Sequence, residues 1–246
     1  GLSPWGASHG EEGPGGSATD GGSGSGALDG ALDGGGAGVI DGRSDAEIYP
    51  RYLDGMVEVP AGTFWMGCND AVDLDCFVDE FPRHEVVLPA FRIDRTEVTT
   101  RAYLGCVLTG NCRWPAPRDI QCNLEDNWWH SPRYENPINC MSWQDGVDFC
   151  AWVGKRLPTE AEWEMAARGT GGRIYPWGNE PPTCALANYF GCSNSWTRPV
   201  AQYPDGASPF GALDMAGNVW EWVSDWYQAD YYDVSPTTDP PGPASG

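Results

Sequence analysis

The stretch Gly154-Lys155-Arg156-Leu157-Pro158-Thr159-Glu160-Ala161-Glu162-Trp163-Glu164 holds a helix stop, a stiff connector and a helix start in immediate succession. Gly154 is the residue type that closes a helix in a left-handed turn. Pro158 denies a backbone donor and holds the chain extended just before Thr159. Thr159 and Glu162 form a capping box, the hydroxyl taking the Glu162 N–H while the Glu162 carboxylate reaches back to the Thr159 N–H. The spacing predicts a helix from Thr159 to about Arg168-Gly169.

Upstream, Ser142 caps a helix in which Trp143, Val147, Cys150 and Ala151 recur at helical spacing up to Gly154. Thr99 caps another that runs to about Leu108 and ends at Gly110. Before these, Met56–Val59 and Thr63–Met66 flank Pro60-Ala61-Gly62, which reads as a hairpin. His84–Ile93 reads as a further strand. Beyond residue 169 the chain is turns and aromatics up to Tyr232. Strands, a few short helices and long connections predict an α+β domain held by disulfides.

The chain has 246 residues, with 14 Lys+Arg against 35 Asp+Glu and a net charge of −21. That balance excludes a phosphate-neutralising surface, so nucleic acid is not an expected partner. No segment approaches the roughly 20 apolar residues that cross a bilayer. Residues 1–46 carry about half of the 33 glycines and an echo, Ala27-Leu28-Asp29-Gly30 and Ala31-Leu32-Asp33-Gly34. Such a composition buries too little apolar surface to offset ordering entropy and reads as a flexible acidic tether. A phosphate cradle there would need a preceding strand and a following lysine.

Nine cysteines without a CxxC or a Cys/His metal spacing read as disulfides and imply an oxidising compartment. The pairs Cys68 with Cys76, Cys106 with Cys112, Cys122 with Cys140, and Cys184 with Cys192 would close short loops, although spacing alone leaves the connectivity open. The odd count leaves one sulfur over, and Cys150 is the candidate. His9, His84 and His130 have no nucleophile motif near them and read as turn or surface packing. Asn127-Trp128-Trp129 could stack on a sugar or peptide, and reads more simply as packing.

The capped stretch at Gly154–Glu164, Tyr175-Pro176-Trp177-Gly178 and Gly217-Asn218-Val219-Trp220-Glu221-Trp222 together resemble the formylglycine-generating enzyme (sulfatase-modifying factor) family. So do Val57-Glu58-Val59-Pro60-Ala61-Gly62-Thr63-Phe64-Trp65-Met66-Gly67 and Thr96-Glu97-Val98-Thr99. The resemblance covers residues 56–246 and implies a C-type-lectin-like variant fold with little regular secondary structure. It implies an activity as well, the copper- and O2-dependent oxidation of a sulfatase cysteine to formylglycine. The copper-binding cysteine pair belongs to a C-terminal region of the family that has no counterpart up to Gly246, so the domain is expected to be C-terminally incomplete. No catalytic residue is assigned within this chain, and copper is expected only if such a region carries the pair.

The resemblance further implies a structural calcium ion at Asp214, Gly217, Val219 and Glu221. Asp214 and Glu221 would offer carboxylates and the other two carbonyls, the oxygen donors that Ca2+ prefers. A second calcium would use Asn188 and the Tyr189 carbonyl, with Asp205 available nearby. Cys150 matches a position that pairs, in the family, with a cysteine of the C-terminal region. The expected setting is a secreted, periplasmic or surface lipoprotein of a bacterium, and the expected partner a cysteine-containing sulfatase peptide or another protein. The other reading is a non-catalytic extracellular binding or structural module on the same fold.

Overall fold

The computed structural model describes residues 7–8, 55–115, 122–124, 133–192 and 196–246. Its strands are β1 (Ala7–Ser8), β2 (Met56–Val59), β3 (Gly62–Met66), β4 (His84–Leu88), β5 (Phe91–Asp94) and β6 (Glu221–Trp222). Its helices are α1 (Thr100–Leu108), α2 (Trp143–Trp152) and α3 (Glu160–Arg168). Among the described residues, no helix is long and apolar enough to cross a membrane.

The expected hairpin between Met56–Val59 and Thr63–Met66 does not form. β2 pairs antiparallel with β5, and β3 pairs antiparallel with β4. The register is common to both ladders: Val59 faces Phe91 and Gly62 faces Leu88. The two pairs are therefore one long ribbon, interrupted where Pro60-Ala61 runs opposite Pro89-Ala90. A proline on each strand removes a ladder donor at the same level, so hydrogen bonding lapses there and resumes in register. The same break divides the expected His84–Ile93 strand into β4 and β5.

All three helices start at the expected caps. Thr99 accepts from the Ala102 N–H, Ser142 forms a capping box with Asp145, and Thr159 forms one with Glu162. α3 ends at Gly169, whose φ of 66° is a left-handed conformation that glycine adopts without steric penalty. Its inner face joins the ribbon in the main core, where Phe64, Val86, Leu88, Trp163 and Met165 are fully buried. A second core packs α1 on α2 through Tyr103, Leu104, Phe149 and Val153. Disulfides join Cys68–Cys76, Cys106–Cys112, Cys122–Cys140 and Cys184–Cys192, and Cys150 is free.

Of the expected tether, the described residues include only β1, which lies parallel to β6 with Ala7 opposite Glu221. His9, His130 and the Asn127-Trp128-Trp129 stretch lie outside the described residues.

Candidate functional site

A groove of about 1040 Å3 runs between the two cores. The Asn218–Trp222 stretch forms one wall, and α2 with the Gly154–Pro158 connector forms the other. The sequence builds these walls by anchoring alternate tryptophans. Trp222 donates from Nε1 to the Met141 carbonyl at 3.0 Å, and Trp143 donates to the Val223 carbonyl at 2.8 Å. Trp220 is half exposed, as is Trp196, and both line the groove. On the opposite wall Lys155 pairs with Asp94, while Arg156 grips both carboxylate oxygens of Glu162 at 2.6 and 2.7 Å.

The Gly217-Asn218 turn is fixed by the loop that carries Asn188. Asn218 N–H donates to the Asn188 carbonyl at 2.7 Å, and the Asn188 Nδ2 donates to Asn218 Oδ1 at 3.1 Å. Gly217 sits at φ 87°, and a Cβ there would lie 2.4 Å from the Asn188 carbonyl oxygen, so glycine alone permits the approach. Beside the turn the fold gathers acids, Asp214 buried and Glu221 half-buried. Glu221 accepts from Trp163 Nε1 at 2.9 Å, and Asp214 accepts from the Ala201 N–H at 2.6 Å. Burial, with Asp214 and Asp94 adding, pushes the Glu221 carboxyl up to about 7. Asp214 is also raised, by burial, against the Ala201 hydrogen bond.

Glu97 joins this cluster, although the sequence reading assigned it no role. It is 8% exposed. It accepts from Asn218 Nδ2 at 2.9 Å on Oε2 and also from the Val219 N–H, while Oε1 is buried with no hydrogen-bond partner. Burial, then Glu221 and Asp214, hold its carboxyl well above the usual range. Its sequence signal was the Thr96-Glu97-Val98-Thr99 stretch, where an acid stands directly before a helix cap.

These donors are all oxygens, with two buried acids, the half-buried Glu221 and an orphaned carboxylate oxygen, and this chemistry fits a hard divalent cation. Gly217 and Val219 lie on the turn between Asp214 and Glu221. Among the described residues, the one group of three His, Cys, Asp or Glu ligand atoms within 4.8 Å of one another is Cys68, Cys76 and Glu80, and its two sulfurs are bonded to each other. A cation at Glu221 would therefore draw on backbone carbonyls as well as side chains. At the second expected site, the Asn188 Nδ2 donates to the Trp196 carbonyl and to Asn218 Oδ1, the Tyr189 hydroxyl donates to the Pro182 carbonyl, and Asp205 is exposed in a separate turn.

Copper does not fit the cysteines described, which are all nine of the chain. Eight are in disulfides, and Cys150 stands alone on the groove wall beside the Asp94–Lys155 pair. Burial, with Asp94 adding and Lys155 opposing, pushes its thiol up to about 11, which keeps it protonated and unreactive at neutral pH. His84 stands edge-on to Tyr232, with Nδ1 2.9 Å from the Pro82 carbonyl, in a packing role.

Residues 43–242 match the profile of the sulfatase-modifying factor enzyme 1-like domain. The formylglycine-generating enzyme of Streptomyces coelicolor is 35% identical over 250 aligned positions, covering 80% of this chain and 77% of that protein. The hercynine oxygenase of Mycolicibacterium smegmatis is 33% identical over 192 positions, 68% of this chain and 45% of that protein. Among solved structures, PvdO of Pseudomonas aeruginosa superposes with a TM-score of 0.59 at 32% identity, covering 74% of each chain.

Proposed function

Because this chain belongs to the family of sulfatase-modifying factor enzyme 1-like domains, we propose that its groove binds an extended, cysteine-containing polypeptide of the sulfatase type. In this reading the residues present supply the binding half of a formylglycine-generating domain, on a C-type-lectin-like variant of the fold, and not the copper chemistry. The observation that carries it is the groove itself. It has the size of a ligand cleft, presents half-exposed Trp196 and Trp220 beside fixed charges, and holds a single protonated thiol. Formylglycine formation is an oxidation, and the nine cysteines offer no thiolate pair to hold a copper ion.

Calcium belongs to the same proposal, held by the Gly217 and Val219 carbonyls with Glu221 and Asp214. The disulfides support an oxidising compartment, and we place the protein outside the bacterial cytoplasm, secreted, periplasmic or lipid-anchored.

Tryptophan fluorescence during titration with a sulfatase-derived cysteine peptide tests the binding. Saturable quenching that weakens about ten-fold in Trp220→Ala is expected, on the basis that a central aromatic anchor contributes on the order of 1.4 kcal/mol or more. Incubation of this chain with the same peptide, Cu(I) and O2 should yield no aldehyde. Absence of saturable binding favours the other reading, a non-catalytic extracellular module, to which the four short disulfide loops lend support. Aldehyde formation would overturn the assignment of the chemistry.

A further inference from the structure

Away from the groove, the loop between β3 and β4 brings a disulfide and an acid together. The Sγ atoms of Cys68 and Cys76 and a carboxylate oxygen of Glu80 lie within 4.8 Å of one another. The backbone fixes this approach. The Cys68 N–H donates to the Glu80 carbonyl at 3.1 Å, and Gly67, at φ 91°, leaves room for that carbonyl, which a Cβ would meet at 2.5 Å. Glu80 Oε2 accepts from the Phe77 N–H, whereas Oε1 is buried with no hydrogen-bond partner. Around Glu80 stand Glu164 of α3, Asp79, Asp73 and Tyr232, while Arg168 is engaged by Glu164 and Arg83 lies over the Trp65 ring. Burial, against the Phe77 hydrogen bond and with those acids adding, raises the Glu80 carboxyl from 4.5 to about 7, so it keeps a proton into the neutral range.

The two sulfurs differ in access. Cys68 is fully buried, whereas Cys76 is half-buried and flanked in sequence by the exposed Leu74, Phe77 and Val78. An incoming thiolate therefore reaches Cys76, and Cys68 is the sulfur that must leave. A buried thiolate leaves poorly unless it gains a proton. Among the described residues, no other disulfide has a His, Asp or Glu ligand atom within 4.8 Å of both its sulfurs.

We propose that Cys68–Cys76 is a redox-active disulfide that exchanges with a protein dithiol, and that Glu80 is its proton donor. The incoming thiolate bonds to Cys76 Sγ as the Cys76–Cys68 bond breaks, the electron pair passes to Cys68 Sγ, and the Glu80 carboxyl protonates it. The partner's second thiolate then attacks its own first sulfur, closing the partner's disulfide and freeing Cys76. Two electrons pass from the dithiol to this chain, and the two protons its thiols release restore Glu80 and protonate Cys76. Leu74, Phe77 and Val78 give the partner an apolar footing beside the reacting sulfur.

Dithiothreitol is the probe, applied to the full native chain on both sides of the Glu80 titration, with reduced cysteines trapped by alkylation and located by mass spectrometry. Each rate is divided by the concentration of reagent thiolate. For Cys68–Cys76 the normalised rate should fall as pH rises through about 7, because Glu80 loses the proton it donates. Cys184–Cys192, whose Cys184 is exposed, is the internal control and should stay flat. Glu80→Gln should slow Cys68–Cys76 about ten-fold on the acid side and flatten its profile, leaving Cys184–Cys192 unchanged, and Glu80→Asp should restore part of both. A flat wild-type profile overturns the proposal. So does a Gln variant as fast as wild type on the acid side, which would reduce Glu80 to a source of charge repulsion. If the Gln variant does not fold, the wild-type profile against the Cys184–Cys192 control decides the matter.

Discussion

Glu162 is buried and Glu80 half-buried, yet their partners drive them in opposite directions. Burial alone would raise the Glu162 carboxyl, but two hydrogen bonds from Arg156 and those of the Thr159 cap outweigh it and hold it below the usual range. A carboxyl lowered by folding adds stability above its unfolded pKa, and that contribution is lost as pH falls through the folded value. Arg156 is largely exposed, which weakens its share. Glu162→Gln should cost about 2 kcal/mol at neutral pH and much less in acid, measured by urea unfolding at several pH values. Glu80 carries the reverse sign. Burial, opposed by the Phe77 N–H and reinforced by Glu164, Asp79 and Asp73, raises it from 4.5 to about 7. The folded state then holds a proton that the unfolded chain has released, so stability falls as pH rises from 4.5 to about 7. Glu80→Gln should gain thermal midpoint relative to wild type progressively across that window, and a constant difference would rule this out.

Capping is local chemistry, and at the scale of elements it was the part of the fold most open to sequence reading. Ser142, Thr159 and Thr99 each announce a helix start through side-chain oxygens three residues from the donor they satisfy. Thr159→Ala should cost about 1 kcal/mol, read from the urea midpoint. Strand pairing was less open, because a partner in a ladder is set by distant residues. Pro60-Ala61-Gly62 looks like a hairpin turn from within its own segment. Only Pro89, distant in sequence but opposite that segment in the fold, reveals it as one side of a ribbon break. The candidate site divides in the same way. Gly217 and Glu221 announce themselves in a motif, whereas Glu97 acquires its meaning only when the fold brings it beside Asn218. Gly217 itself offers a check on that clasp. Gly217→Ala places a Cβ 2.4 Å from the Asn188 oxygen in a left-handed backbone, so a loss of about 1–3 kcal/mol is expected, with weaker cation binding.

At the scale of the whole molecule, the described residues form two cores bridged by a groove and braced by short covalent loops, in a chain that carries a net charge of −21. Each disulfide closes a loop of only 6 to 18 residues, so none of them ties the α1–α2 core to the ribbon core. That junction depends on noncovalent contacts across the groove walls, including the Trp222 and Trp143 bonds, and Cys150 lies within it on α2. A thiol there reports on the junction. Under denaturing conditions one sulfhydryl per chain should react with a thiol reagent, and three or more, or none in a monomer, would refute the four-disulfide scheme. In the native state the reaction should be slow at neutral pH, because a thiol raised to about 11 is almost wholly protonated. It should slow further when a peptide fills the groove. Unchanged reactivity in the presence of a saturating peptide would place the bound ligand elsewhere on the molecule.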